Sequence, residues 1–101
     1  MKLPSKEQHI ALINLSEECA EVIQAICKID RFGLNQINPN TGETNLQQLN
    51  FELGNLAYML DVLVDEHLMD AAMYQQGYNS KQNRYDKYYA LYPNENTEYL
   101  G

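Results

Sequence analysis

Two short stretches carry most of the acidic side chains that could do chemistry together. "NLSEECAEVIQAICKIDRFG" holds Glu17, Glu18 and Glu21, and "NFELGNLAYMLDVL" holds Glu52 and Asn55. On a helix, residues three apart are same-side neighbours. Glu18 with Glu21, and Glu52 with Asn55, are therefore two pairs of oxygen donors. Like charges at that spacing are mildly destabilising on a bare helix, so a sequence that keeps them beside its core invites a counter-charge. Lys and Arg together number only 7 against 14 Asp and Glu, giving a net charge of −7. A divalent cation can supply what the basic residues do not. Oxygen donors without soft ligands suit magnesium, with manganese as the alternative. Such an ion keeps several waters and completes its shell with substrate phosphates.

The weaker candidates are read against plainer alternatives. A Glu-rich turn is ordinarily a solvated helix face, and the second donor pair is what sets this one apart. Lys28 and Arg31 are placed to reach a phosphate. The plainer reading makes Lys28 a surface partner of nearby acids and Arg31 a favourable charge at a helix C-terminus. Asn83, with Lys81, Arg84 and Lys87, belongs to the densest polar and basic cluster of the chain and could close a nucleotide pocket; a solvated face is the rival. The tyrosines at 74, 78, 85, 88, 89, 92 and 99 read as packing and interface rather than base-stacking surface. His9 and His67 lack ligand spacing, and Asp61 and Asp65 turn away from Glu52.

Three helices must position these groups. Ser5-Lys6-Glu7-Gln8, after Pro4, has the form of a capping box, so a first helix starts near Lys6, runs to about Arg31 and stops at Gly33. Its apolar stripe is Leu12, Leu15, Cys19, Val22, Ile23 and Ile26, with Glu18 at the edge. Gly33 to Asn45, containing Asn-Pro-Asn-Thr-Gly, is turn chemistry and longer than a tight helix–helix connection needs. Thr44-Asn45-Leu46-Gln47 is a second capping box and opens a helix that reaches Glu66 or His67. That helix is apolar on two sides. Leu46, Leu49, Leu53, Leu56, Leu60 and Leu63 face one partner, and Phe51, Tyr58 and Val62 another. The second partner is expected to be another subunit. A third helical region covers Met69 to Tyr89, with Gly77 a weak point and Pro93 beyond its end. No strand alternation or repeat is present. The expected architecture is all-α: an antiparallel helical bundle of three main helices, completed by oligomerisation. One domain covers residues 1–92, and 93–101 form a flexible tail.

Composition excludes several functions. A net charge of −7 leaves no basic patch for a nucleic-acid backbone or an anionic membrane surface. No apolar run is long enough to span a bilayer, and the N-terminus lacks a signal-peptide layout. Cys19 and Cys27 lie roughly 12 Å apart along a helix, too far for a disulfide, and read as reduced core residues of a cytoplasmic protein.

The segments "EECAEVIQAICKIDRFG" and "NFELGNLAYMLDVL" resemble the all-α nucleoside triphosphate pyrophosphohydrolases of the MazG-like group, whose short single-domain members are frequent in bacteriophages. The family pattern is EExxE followed by ExxD. Here Glu17, Glu18 and Glu21 complete the first part, while the second starts at Glu52 and ends in Asn55 where the family has aspartate. "CKIDRFG" resembles a segment of phage-type members through Lys28, Arg31, Phe32 and Gly33. The resemblance covers about residues 8 to 66. It implies a homodimer or homotetramer in the cytoplasm, the host's if phage-encoded. It further implies magnesium-dependent cleavage of a nucleoside triphosphate to a monophosphate and pyrophosphate. Glu18, Glu21 and Glu52 would then be metal ligands, with Asn55 completing the set. Glu17 would be an accessory ligand or orient the attacking water, Lys28 and Arg31 would contact phosphate, and Asn83 base or sugar. The amide of Asn55 removes one negative charge and cannot act as a base. A catalytically weak protein that sequesters a nucleotide is therefore the alternative, and a purely structural bundle a third.

Overall fold

The computed structural model describes residues 1–92, so the expected tail at 93–101 lies outside the described residues. It contains α1 (Lys6–Phe32), α2 (Asn45–Asp65) and α3 (Ala71–Tyr89). No strand occurs among the described residues, and the fold is all-helical, as the patterning requires. The chain divides into two compact units, Met1–Leu68 and Met69–Gly101.

The helix boundaries follow from local hydrogen bonds. Ser5 Oγ accepts from the Gln8 backbone N–H at 3.1 Å, and the Ser5 N–H donates to Gln8 Oε1 at 3.0 Å. Two donors that a helix start leaves without partners are thereby satisfied. Gly33 ends α1 with φ 86°, a left-handed value that glycine adopts without a Cβ penalty, and its N–H donates to the Ile29 carbonyl at 2.8 Å. Thr44 and Gln47 repeat the reciprocal pair at the start of α2, at 3.0 and 2.8 Å. The end of α2 was not foreseen in this form. His67 takes φ 59°, the Leu68 N–H donates to the Leu63 carbonyl at 2.9 Å, and the His67 N–H donates to the Val64 carbonyl at 3.1 Å. This is a Schellman termination with histidine where glycine is usual.

The connection between α1 and α2 is ordered by its own bonds. Ile37 and Thr44 form an isolated antiparallel bridge, Asn38 and Glu43 bond across a turn at 2.9 Å, and Gly42 supplies φ 76°. The buried carboxamide of Asn45 donates to the Gly33 carbonyl at 3.0 Å, tying the start of α2 to the end of α1. At the other end, Gln8 Nε2 donates to the Glu66 carbonyl at 2.9 Å. These two links show that α1 and α2 pack antiparallel.

The packing face differs from the expected one. On α1 the buried or half-buried positions are Gln8, Ala11, Leu15, Glu18, Val22, Ala25 and Ile29. The alternating spacing of three and four is that of a helix–helix seam. Ala11 and Ala25 are each only 3% exposed, and small side chains there let the helices approach. The larger residues of the predicted stripe turn outward: Leu12, Ile23 and Ile26 are exposed, as are Leu46 and Leu53 of α2. Cys19 and Cys27, expected in the core, are both exposed free thiols. The reason is that α1 is apolar over a wide arc, and the part that α2 covers includes the small residues Ala11 and Ala25. Among the described residues, the buried apolar ones are then Ala11, Ala25 and Leu63. A core of that size does not by itself satisfy the apolar surface these two helices present.

α3 starts at Ala71, with Asp70 Oδ1 accepting from the Met73 N–H at 3.0 Å, two residues later than expected. Gly77 does not break it, and none of its residues is buried.

Candidate functional site

Glu52 is the centre of the site. It stands midway along α2 on the face turned to α1, and only 7% of it is exposed. Its partners come from its own helix. Gln48 Nε2 donates to Oε1 at 2.8 Å, and Asn55 Nδ2 donates to Oε2 at 3.4 Å. The first is a good hydrogen bond; the second is long and weak. Both donors are neutral amides. Neither partner offers a formal counter-charge, and burying a charge without one is costly inside a protein.

The paired helix places the remaining acids at different depths. Glu18 lies within the α1 seam, half-buried, rather than at its edge. Glu21 and Glu17 are exposed. The end links between Gln8 and Glu66, and between Gly33 and Asn45, fix the antiparallel register. By that register Asn55 is level with Glu21, and Glu52 with the small residue Ala25. Glu18 stands roughly 9 Å along the bundle axis from Glu52. Among the described residues, no group of three or more His, Cys, Asp and Glu is gathered closely enough to hold a metal ion. The structure thus joins Glu52 and Asn55 directly and puts Glu18 on the same helix–helix face, while Glu17 and Glu21 stay outside it.

The donor set fits a hard cation in part. Glu52 offers a buried carboxylate, and the carboxamide of Asn55, half-buried beside it, presents an oxygen if it turns over. Magnesium needs only one or two carboxylates when water and phosphate complete its shell. The exposed Glu21 and half-buried Glu18 are further oxygen donors on the facing helix.

Lys28 and Arg31 are exposed on the last turns of α1, where long side chains sweep a wide volume. Asn83 is exposed on α3, in the second unit. His9, His67, Asp61 and Asp65 are exposed. Two residues escaped the sequence reading. Gln48 holds Glu52 in place; its signal was the spacing of four between a carboxamide and a carboxylate on one helix. Asn45 is a buried polar staple, and nothing local distinguishes it from the other asparagines of the loop.

No protein-family model matches the chain, and neither a curated protein nor a solved structure does.

Proposed function

We propose that the chain is a magnesium-dependent nucleotide pyrophosphohydrolase, acting in the cytoplasm as a homodimer or homotetramer. One observation carries the reading: the buried carboxylate of Glu52 faces α1 with only neutral amides as partners. A buried acid without a cation is costly in a merely structural bundle, and is to be expected where a cation binds. The resemblance of the Glu17, Glu18, Glu21 and Glu52 pattern to the MazG-like group names the reaction. Exposed Ile23, Ile26, Phe51 and Tyr58 supply apolar surface for the partner subunits.

In the proposed reaction, water adds to the α-phosphorus and the bond to the α,β-bridging oxygen breaks, giving a nucleoside monophosphate and pyrophosphate. Glu52 and the Asn55 carbonyl would hold magnesium together with water and phosphate, and Glu18 and Glu21 would reach it from the facing helix through bound water. Bound there, the ion would neutralise the triphosphate charge and acidify a water. Glu17 would orient the attacking water and take up its proton. Lys28 and Arg31 would neutralise phosphate oxygens.

A second reading has its own support. Asn55 points an N–H, not an oxygen, at Glu52. A neutral amide in place of an aspartate lowers the charge available to a cation and favours a protein that binds a nucleotide and keeps it. Pyrophosphate release across a panel of nucleoside triphosphates with magnesium separates the two. Turnover that disappears in Glu18→Gln supports the enzyme, and tight binding without turnover supports sequestration. If neither a nucleotide nor magnesium raises the melting temperature, both readings fail, because a ligand of the native state must stabilise it.

A further inference from the structure

We propose that α3 is a self-association surface, packing antiparallel against α3 of a second copy of this chain through a seam of tyrosines. Ala71, Tyr74, Tyr78, Lys81, Tyr85 and Tyr88 recur at alternating spacings of three and four. That average of 3.5 keeps a seam straight only when two helices wrap around each other. Tyr74, Tyr78, Tyr85 and Tyr88 are 52%, 62%, 54% and 56% exposed, and no residue of α3 is buried. A lone 19-residue helix containing Gly77 is marginal in water and needs a packing partner.

The surface is shaped to take a side chain like its own. Tyr78, Lys81, Gln82 and Tyr85, with Asp86 at the margin, line an open hollow on α3. The first four are related as i, i+3, i+4 and i+7, the set that forms a hole for a knob from a facing helix. Area is sufficient as well. Each half-exposed tyrosine has roughly 100–150 Å² left to bury. Four from each copy give about 1,000 Å² in total, the lower bound for a specific interface.

Charge decides the direction. A parallel pair would set Lys81 against the partner's Lys81 in the middle of the seam, two like charges with no acid between them. An antiparallel pair aligned over the whole helix sets Tyr78 opposite the partner's Lys81, in the hollow just described. It sets Tyr74 opposite the partner's Tyr85, and Ala71 opposite the partner's Tyr88. Each Lys81 ammonium then lies on a tyrosine ring, a favourable cation–π contact. Gly77 falls beside the partner's Arg84, and a Cβ built at Gly77 meets nothing within 4 Å, so there is room for that long side chain.

The proposal is independent of nucleotide chemistry, and its test reads mass and proximity in the full chain. By sedimentation equilibrium, Tyr78→Glu is expected to halve the molar mass of the assembly, while Asn79→Glu on the outer side leaves it unchanged. An unchanged mass in Tyr78→Glu, or a monomeric parent protein, overturns the idea. Cross-linking keeps the test decisive if Tyr78→Glu disturbs folding. With Cys19 and Cys27 replaced by serine, a chain carrying both Gln75→Cys and Gln82→Cys should oxidise to a covalent dimer. These two positions are roughly 10 Å apart on one helix, too far to bridge within a copy. Neither single cysteine should cross-link. Dimers from Gln75→Cys alone mean a different register or face, and the absence of dimers from the double variant means that the seam faces something else; either result overturns the proposal.

Discussion

The unit built from α1 and α2 and the helix α3 both leave apolar groups outward and differ in what they bury. In the first, Glu52 and Asn45 are buried, and Ile23, Phe51 and Tyr58 face outward. In the second, nothing is buried and a tyrosine seam runs along an exposed helix. Polar groups held inside a helix pair at an energetic cost point to chemistry, and apolar groups left outside a capped helix point to association. Among the described residues, only the first unit combines a buried acid with exposed apolar surface; α3 offers exposed surface alone.

The sharpest way to break that comparison is at its polar centre. Glu52→Gln keeps the shape of the side chain but removes its charge. Pyrophosphate release is expected to fall by about a hundredfold or more, equivalent to about 2.7 kcal/mol of lost transition-state stabilisation. Thermal unfolding should show the fold intact and the magnesium-induced rise in melting temperature gone. A variant with parental turnover would remove Glu52 from the site.

A smaller effect tests whether buried polar groups hold the first unit together. Asn45→Ala leaves the Gly33 carbonyl without its 3.0 Å donor. Urea unfolding should register a loss of about 1–3 kcal/mol. Asn83→Ala on exposed α3 is the matching control and should stay within about 0.5 kcal/mol. Equal losses at the two positions would erase the distinction between the units.

Asn55→Asp sharpens the reading of the site. Without magnesium, the new carboxylate faces Glu52 at i, i+3 and should destabilise the fold by about 0.5 kcal/mol or somewhat more, given the burial. With magnesium the sign should reverse, since the second charge raises affinity for the cation. Titration calorimetry measures the affinity directly, and a fall would mean that the position is tuned for an amide. The smallest effect concerns the end of α2. His67→Gly relieves a side chain held at φ 59° and should raise stability by about 0.5–1 kcal/mol in the same urea assay.

Much of the fold was legible in the residues. Ser5 with Gln8, and Thr44 with Gln47, predicted helix starts at Lys6 and Asn45, where the structure has them. The site was legible in part. The spacing of Glu52 and Asn55 correctly made them neighbours, yet nothing in it showed that Asn55 would donate to Glu52, or that Gln48 would share in holding it. Glu18 was expected beside the core and lies in the seam instead.

By itself, the sequence determined the helices, their caps and the two donor pairs, because each depends on groups within four residues of one another along the chain. Tertiary structure decided which arc of α1 meets α2. Several arcs are apolar enough, and the choice rests on how closely a second helix can approach over Ala11 and Ala25. That one rotation half-buries Glu18, exposes Cys19 and Cys27, and turns Leu12, Ile23 and Ile26 outward. Burial belongs to the pair of surfaces that meet, and no single helix carries that information alone.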